Sequence, residues 1–81
     1  MISQIAINKN EIFRKIKSGE IQYAGNIKLN IYGLLSCASG KRMRRENRVF
    51  FKTEKEALSR GFRPCGHCLN SKYQKWRTGK M

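Results

Sequence analysis

Cysteine offers the most chemistry in this chain, and its three copies are not spread at random. Cys65-Gly66-His67-Cys68 is a CxxC pair, and Cys37 lies well upstream. Thiolates at CxxC spacing in a turn can both reach one tetrahedral Zn²⁺, with Zn–S bonds of about 2.3 Å. A turn just ahead of a helix suits that charge, because free N–H groups and the positive end of the helix dipole stabilise thiolates. A closed structural zinc takes four ligands. The fourth place is open to the single histidine, His67, although it sits between Gly66 and Cys68, where neighbouring side chains diverge, and equally to a water, a carboxylate such as Glu46 or a thiol from a partner chain. Two blander readings compete: a dithiol redox pair at Cys65 and Cys68, and three thiols buried as small apolar groups. The redox motif belongs beside a βαβ pattern, and too little chain follows Cys68 for the strands of such a domain. An odd cysteine count also fits a disulfide framework poorly.

The second source of chemistry is positive charge. Lys41, Arg42, Arg44, Arg45 and Arg48 crowd one segment against a lone Glu46. The whole chain carries 18 Lys and Arg against 5 acids, a formal +13 in 81 residues. Such a surplus attracts polyanions. Side chains fanned along a phosphate backbone release condensed counterions, which makes binding strongly salt-dependent. Lys72, Lys75 and Arg77 extend the basic surface. Nucleic acid is therefore the expected partner, through backbone contacts without base reading; an acidic protein partner for the same loop is the alternative. A membrane surface would want a basic amphipathic helix or a lipidation signal, and neither is present. No apolar run approaches a membrane span, and the start Met1-Ile2-Ser3-Gln4 does not read as a leader. The expected location is the cytoplasm.

The elements that must position these residues follow from local pattern. Asn8 stands three before Glu11, a helix-start signature; Ile12, Phe13 and Ile16 then share a face and Gly19 stops the turn, which predicts a helix over about 9–18. Ile27, Leu29 and Ile31 alternate with Lys28 and Asn30, the period of a half-buried strand. Tyr23 belongs to a shorter strand before it, divided off by the turn signal Gly25-Asn26. The stretch Gly33 to Asn47 reads as loop, and Arg48-Val49-Phe50-Phe51 as a second strand. Thr53-x-x-Glu56 opens a short helix through Leu58 toward Gly61. Pro64 re-extends the chain, and a last helix follows Cys65 with Leu69, Tyr73 and Trp76 on one side. The expected fold is α+β: a small antiparallel sheet flanked by short helices, with the zinc site at one end. The expected organisation is an N-terminal helical extension (1–20), a zinc-binding domain (21–76) and a frayed basic tail (77–81).

Ile31-Tyr32, Ser36-Cys37, Arg45-Glu46-Asn47 with Val49-Phe50-Phe51, Glu56-Ala57-Leu58 and the run Gly61-Phe62-Arg63-Pro64-Cys65-Gly66-His67-Cys68 together resemble the metal-binding domain of the Ada DNA-repair proteins. The resemblance implies a small α/β zinc domain that holds four thiolates and binds DNA. It also implies that one thiolate accepts a methyl group from a methylated DNA phosphate. Counting back from Cys37, the acceptor position falls on Gly33, which has neither nucleophile nor ligand. An additional residue also separates Cys37 from Glu46 relative to the family pattern. The resemblance places a DNA-contacting basic segment at Lys41, Arg42, Arg44 and Arg45. The reading is a zinc- and DNA-binding module of the Ada type, in DNA repair or damage-linked transcription, with no catalytic residue assigned. The alternatives are a methyl-phosphotriester acceptor using a remaining cysteine and the dithiol redox protein.

Overall fold

The computed structural model describes residues 1–37 and 43–79. Five strands form one sheet in the order β1-β4-β2-β3-β5: β1 (Ile2–Ser3), β2 (Tyr23–Asn26), β3 (Ile31–Leu34), β4 (Arg48–Phe51) and β5 (Arg63–Pro64). Helices α1 (Lys9–Ser18), α2 (Glu54–Ser59) and α3 (Asn70–Arg77) surround it. The α+β class stands as expected. The sheet is antiparallel except at its far edge, where β5 runs parallel to β3.

The helix starts obey the capping chemistry of the sequence. Asn8 Oδ1 accepts the Glu11 N–H at 2.8 Å, and Asn8 donates back to the Glu11 carboxylate at 3.2 Å. Gly19 closes α1 with φ 84°, its N–H on the Ile16 carbonyl at 3.2 Å, a left-handed turn that glycine adopts without strain. Thr53 Oγ1 caps α2 by accepting from the Glu56 N–H at 3.1 Å. The Glu56 carboxylate then reaches past the cap to the Lys52 N–H at 3.0 Å.

The expected strand through Ile27, Leu29 and Ile31 needs correction. Only Ile31 is in a strand; residues 27–30 form the hairpin loop between β2 and β3, and Ile27 and Leu29 are 45% and 61% exposed. The physical cause is Asn26. Its side-chain oxygen accepts from the N–H groups of Lys28 and Leu29 at 2.9 and 3.2 Å, offering the backbone a turn in place of a ladder. Asn30 completes the turn at φ 56°, a conformation asparagine tolerates. Gly25 and Asn26 therefore lie inside β2, and β3 runs to Leu34, past the point where the pattern dissolves into loop.

Strand β4, paired between β1 and β2, buries both faces. Val49 and Phe51 join Tyr32, Ala57 and Phe62 on one side, under α2; Phe50 joins Ile21 and Ala24 on the other, with Ile12 of α1 packed against them. Phe51 and Phe62 meet edge to face at 4.9 Å and 72°, the geometry their ring quadrupoles prefer. Phe13, which shares a helical face with Ile12 and Ile16 in the sequence pattern, is 61% exposed. β1 pairs with β4, Ile2 opposite Phe50, so the first residues complete the sheet.

Candidate metal centre

The thiols meet because β5 lies beside β3. Ile31 pairs with Arg63 and Tyr32 with Pro64, so the next step of the same register sets Gly33 beside Cys65. Cys65 N–H donates to the Tyr32 carbonyl at 2.8 Å, which pins this step. Beyond it the chain turns, Leu69 N–H returning to the Cys65 carbonyl at 3.0 Å, and the turn swings Cys68 back toward the strand ahead of α3. On the other side β3 ends in a turn, Cys37 N–H on the Leu34 carbonyl at 3.1 Å, which folds the buried Cys37 over the same spot. The sulfurs of Cys37, Cys65 and Cys68 all lie within 4.8 Å of one another. A tetrahedral zinc–thiolate site has sulfur–sulfur edges of about 3.8 Å, given Zn–S bonds of about 2.3 Å. A small contraction brings these three sulfurs onto one ion, and this soft donor set suits zinc.

The surroundings favour thiolates once a cation is present and thiols otherwise. Leu34 N–H points at Cys68 Sγ at 3.3 Å, and His67 N–H at Cys65 Sγ at 3.4 Å. Burial nonetheless pushes the Cys68 thiol up to about 12; the Leu34 N–H opposes this, while neighbouring Cys37 and Cys65 add to it. Because a zinc ion is held by thiolates, metal binding here would release protons and weaken as pH falls.

Gly33 closes the cluster. A Cβ built there would stand 2.8 Å from Cys68 Sγ and 3.2 Å from the Cys65 Cβ. The glycine thus faces the thiol cluster at Cys68, whose sulfur packs into the space that a side chain would fill. His67, offered by the sequence as a fourth ligand, is exposed and is not part of the thiol cluster. Its backbone N–H serves the site instead.

Among the described residues the basic side chains differ in exposure. Lys41 and Arg42 lie outside the described residues. Arg44 is open to solvent, its side chain 81% exposed and loosely paired with Glu46 at 3.8 Å. Arg45 is exposed on the short 3₁₀ turn Arg45–Asn47. Arg48 is half-buried, its guanidinium 5.4 Å from the centre of the Phe50 ring and its Nε without a hydrogen-bond partner. Burial lowers its pKa.

Two arrangements were not read from the sequence. Glu54 accepts from Tyr23 OH at 3.1 Å, from Tyr32 OH at 2.9 Å, and from Lys72 of α3, so one carboxylate ties α2 to the sheet and to the helix that follows the CxxC turn. Its place in the first turn of α2 hid this, because an acid beside the positive end of the helix dipole needs no tertiary role to explain it. Arg63 lies over Tyr73 at 4.9 Å and over Trp76 at 5.9 Å. Aromatics three apart on a basic helix were the available signal.

Among the described residues no helix is long and apolar enough to cross a membrane. The sequence model of the family described as the metal binding domain of Ada matches residues 11–70. Searches of curated proteins and of solved structures return no match.

Proposed function

This chain belongs to the family of the metal binding domain of Ada, and from that premise we propose that it is a zinc-held module that grips the DNA backbone without accepting methyl groups. Zinc is the family's metal, and Cys37, Cys65 and Cys68 are the residues that would hold it. Bound there, zinc would cross-link the end of β3, the end of β5 and the start of α3, a staple that an 81-residue chain with a small core needs.

The observation that carries the reading is Gly33 facing the thiol cluster. In the family the acceptor thiolate belongs at the matching position, kept nucleophilic by the metal. Glycine supplies no sulfur, and the zinc-held set keeps binding and folding roles only. The net +13 supports a polyanionic partner, and exposed Arg44 and Arg45 suit phosphate contacts, together with Lys41 and Arg42 of the same segment and the half-shielded Arg48. DNA repair or damage-linked transcription is the setting that fits such a module, in the cytoplasm.

One purified sample tests these statements. The protein should carry one zinc per chain and unfold on chelation. With about four phosphates neutralised, log affinity for duplex DNA should fall against log salt with a slope of about −3 to −4, flattened by replacing Arg42, Arg44 and Arg45 together with Ala. DNA bearing methylated phosphates should leave the intact mass unchanged. A one-methyl gain on any cysteine would establish the acceptor reading, and metal-free protein that melts identically with and without chelator would remove the zinc reading.

A further inference from the structure

The helix after the CxxC turn carries a feature that neither zinc binding nor phosphate contact uses. α3 buries none of its residues, yet it bears two aromatic rings stacked at 6.1 Å and 20°. Arg63 reaches from β5 to lie over both, at 4.9 Å from the Tyr73 centroid and 5.9 Å from that of Trp76. Tyr73 is held in place from the other end, because Gly66 brings the CxxC turn against its ring, where a Cβ would stand 3.3 Å away. Trp76 remains 42% exposed. An aromatic that served only to anchor a helix would bury its largest ring. Here the largest ring lies outermost, on an element without acidic residues and flanked by exposed Lys75 and Arg77. Lys72 is engaged by Glu54.

We propose that the Arg63–Tyr73–Trp76 stack is a platform for one unpaired base of single-stranded DNA, with Lys75 and Arg77 holding the adjoining phosphates. It rests on the nucleic-acid reading above and adds a base contact to it. Every base has a π face, so such a platform selects strandedness and not sequence. The cationic rim favours a base joined to phosphate over an uncharged apolar partner.

The zinc-loaded full chain is titrated with labelled oligothymidylate and with an abasic strand of equal length, which has the same phosphates and no bases. Binding is read by anisotropy and by the fluorescence of Trp76, the only tryptophan. Oligothymidylate should quench Trp76 and bind roughly 5- to 100-fold tighter than the abasic strand. Trp76→Ala should erase that preference, and Trp76→Phe should keep most of it and show that the helix still folds. Equal affinity for the two strands, or unchanged fluorescence at saturation, overturns the platform. If the abasic strand still binds with a loop-dependent salt slope, the backbone reading survives that failure. A chain that binds neither strand nor duplex overturns both.

Discussion

Gly33 decides more than any other single residue. It is usual to treat a glycine at a ligand position as a missing group, but the space is not empty: Cys68 Sγ sits 2.8 Å from where a Cβ would be. Cys68 Sγ sits close against the strand because no side chain at position 33 keeps it out. Gly33→Ala should therefore act as an overpacked site, with a loss of about 1–3 kcal/mol in unfolding experiments and weaker zinc retention against a competing chelator. Gly33→Cys meets the same crowding but adds a fourth thiolate, so it should hold zinc better than Gly33→Ala does. If the two variants release zinc identically, position 33 is not a vertex of the metal site. The comparison between them is needed, because either variant alone confounds crowding with ligation.

At the scale of elements, Glu54 does the joining. Burial alone would raise its pKa, but hydrogen bonds from Lys72, Tyr32 and Tyr23 outweigh burial and leave it below the ordinary carboxylate value. A depressed folded pKa means that the contribution is complete above the unfolded value and disappears as pH falls through the folded one. Glu54→Gln should thus destabilise the protein by about 1–3 kcal/mol at neutral pH. The gap from the parent should narrow below about pH 4. Comparing both proteins at each pH removes zinc release, which they share; a gap that stays constant into acid would show that Glu54 acts by packing alone. The helix starts at Asn8 and Thr53, strand β4 and the CxxC turn were legible in the sequence because each is specified by neighbours in the chain. The hairpin was not: Asn26 capping its own loop defeats an alternation that would otherwise mark a strand. The parallel β3–β5 pairing, the Glu54 clamp and the Arg63 stack were equally hidden, since each joins residues far apart in sequence. The three cysteines that cluster were readable by type and spacing, whereas the exposure of His67, outside their cluster, follows from how the turn is folded.

For the molecule as a whole, charge opposes the fold that presents it. Glu20, Glu46, Glu54 and Glu56 each pair with a cation in the described structure, and a net +13 still remains. Much of that charge repels itself across a small domain, which lowers stability while raising the potential felt by a polyanion. Salt should consequently act in opposite directions on the two properties. Sodium chloride screens charges beyond about 8 Å at physiological strength, so raising it from low to physiological levels should raise the thermal midpoint of the zinc-loaded protein. The size is set by the repulsion relieved, with each 1 kcal/mol worth roughly 4–8 °C in a domain of this length. Over the same range DNA affinity should fall, because added salt erodes the gain from counterion release. The two responses are measured by a melting series and a binding series in the same buffers. A midpoint that is flat or falls with salt would mean that the cations are spread widely enough not to strain the fold. A flat affinity would mean that the surplus charge is not what holds the DNA.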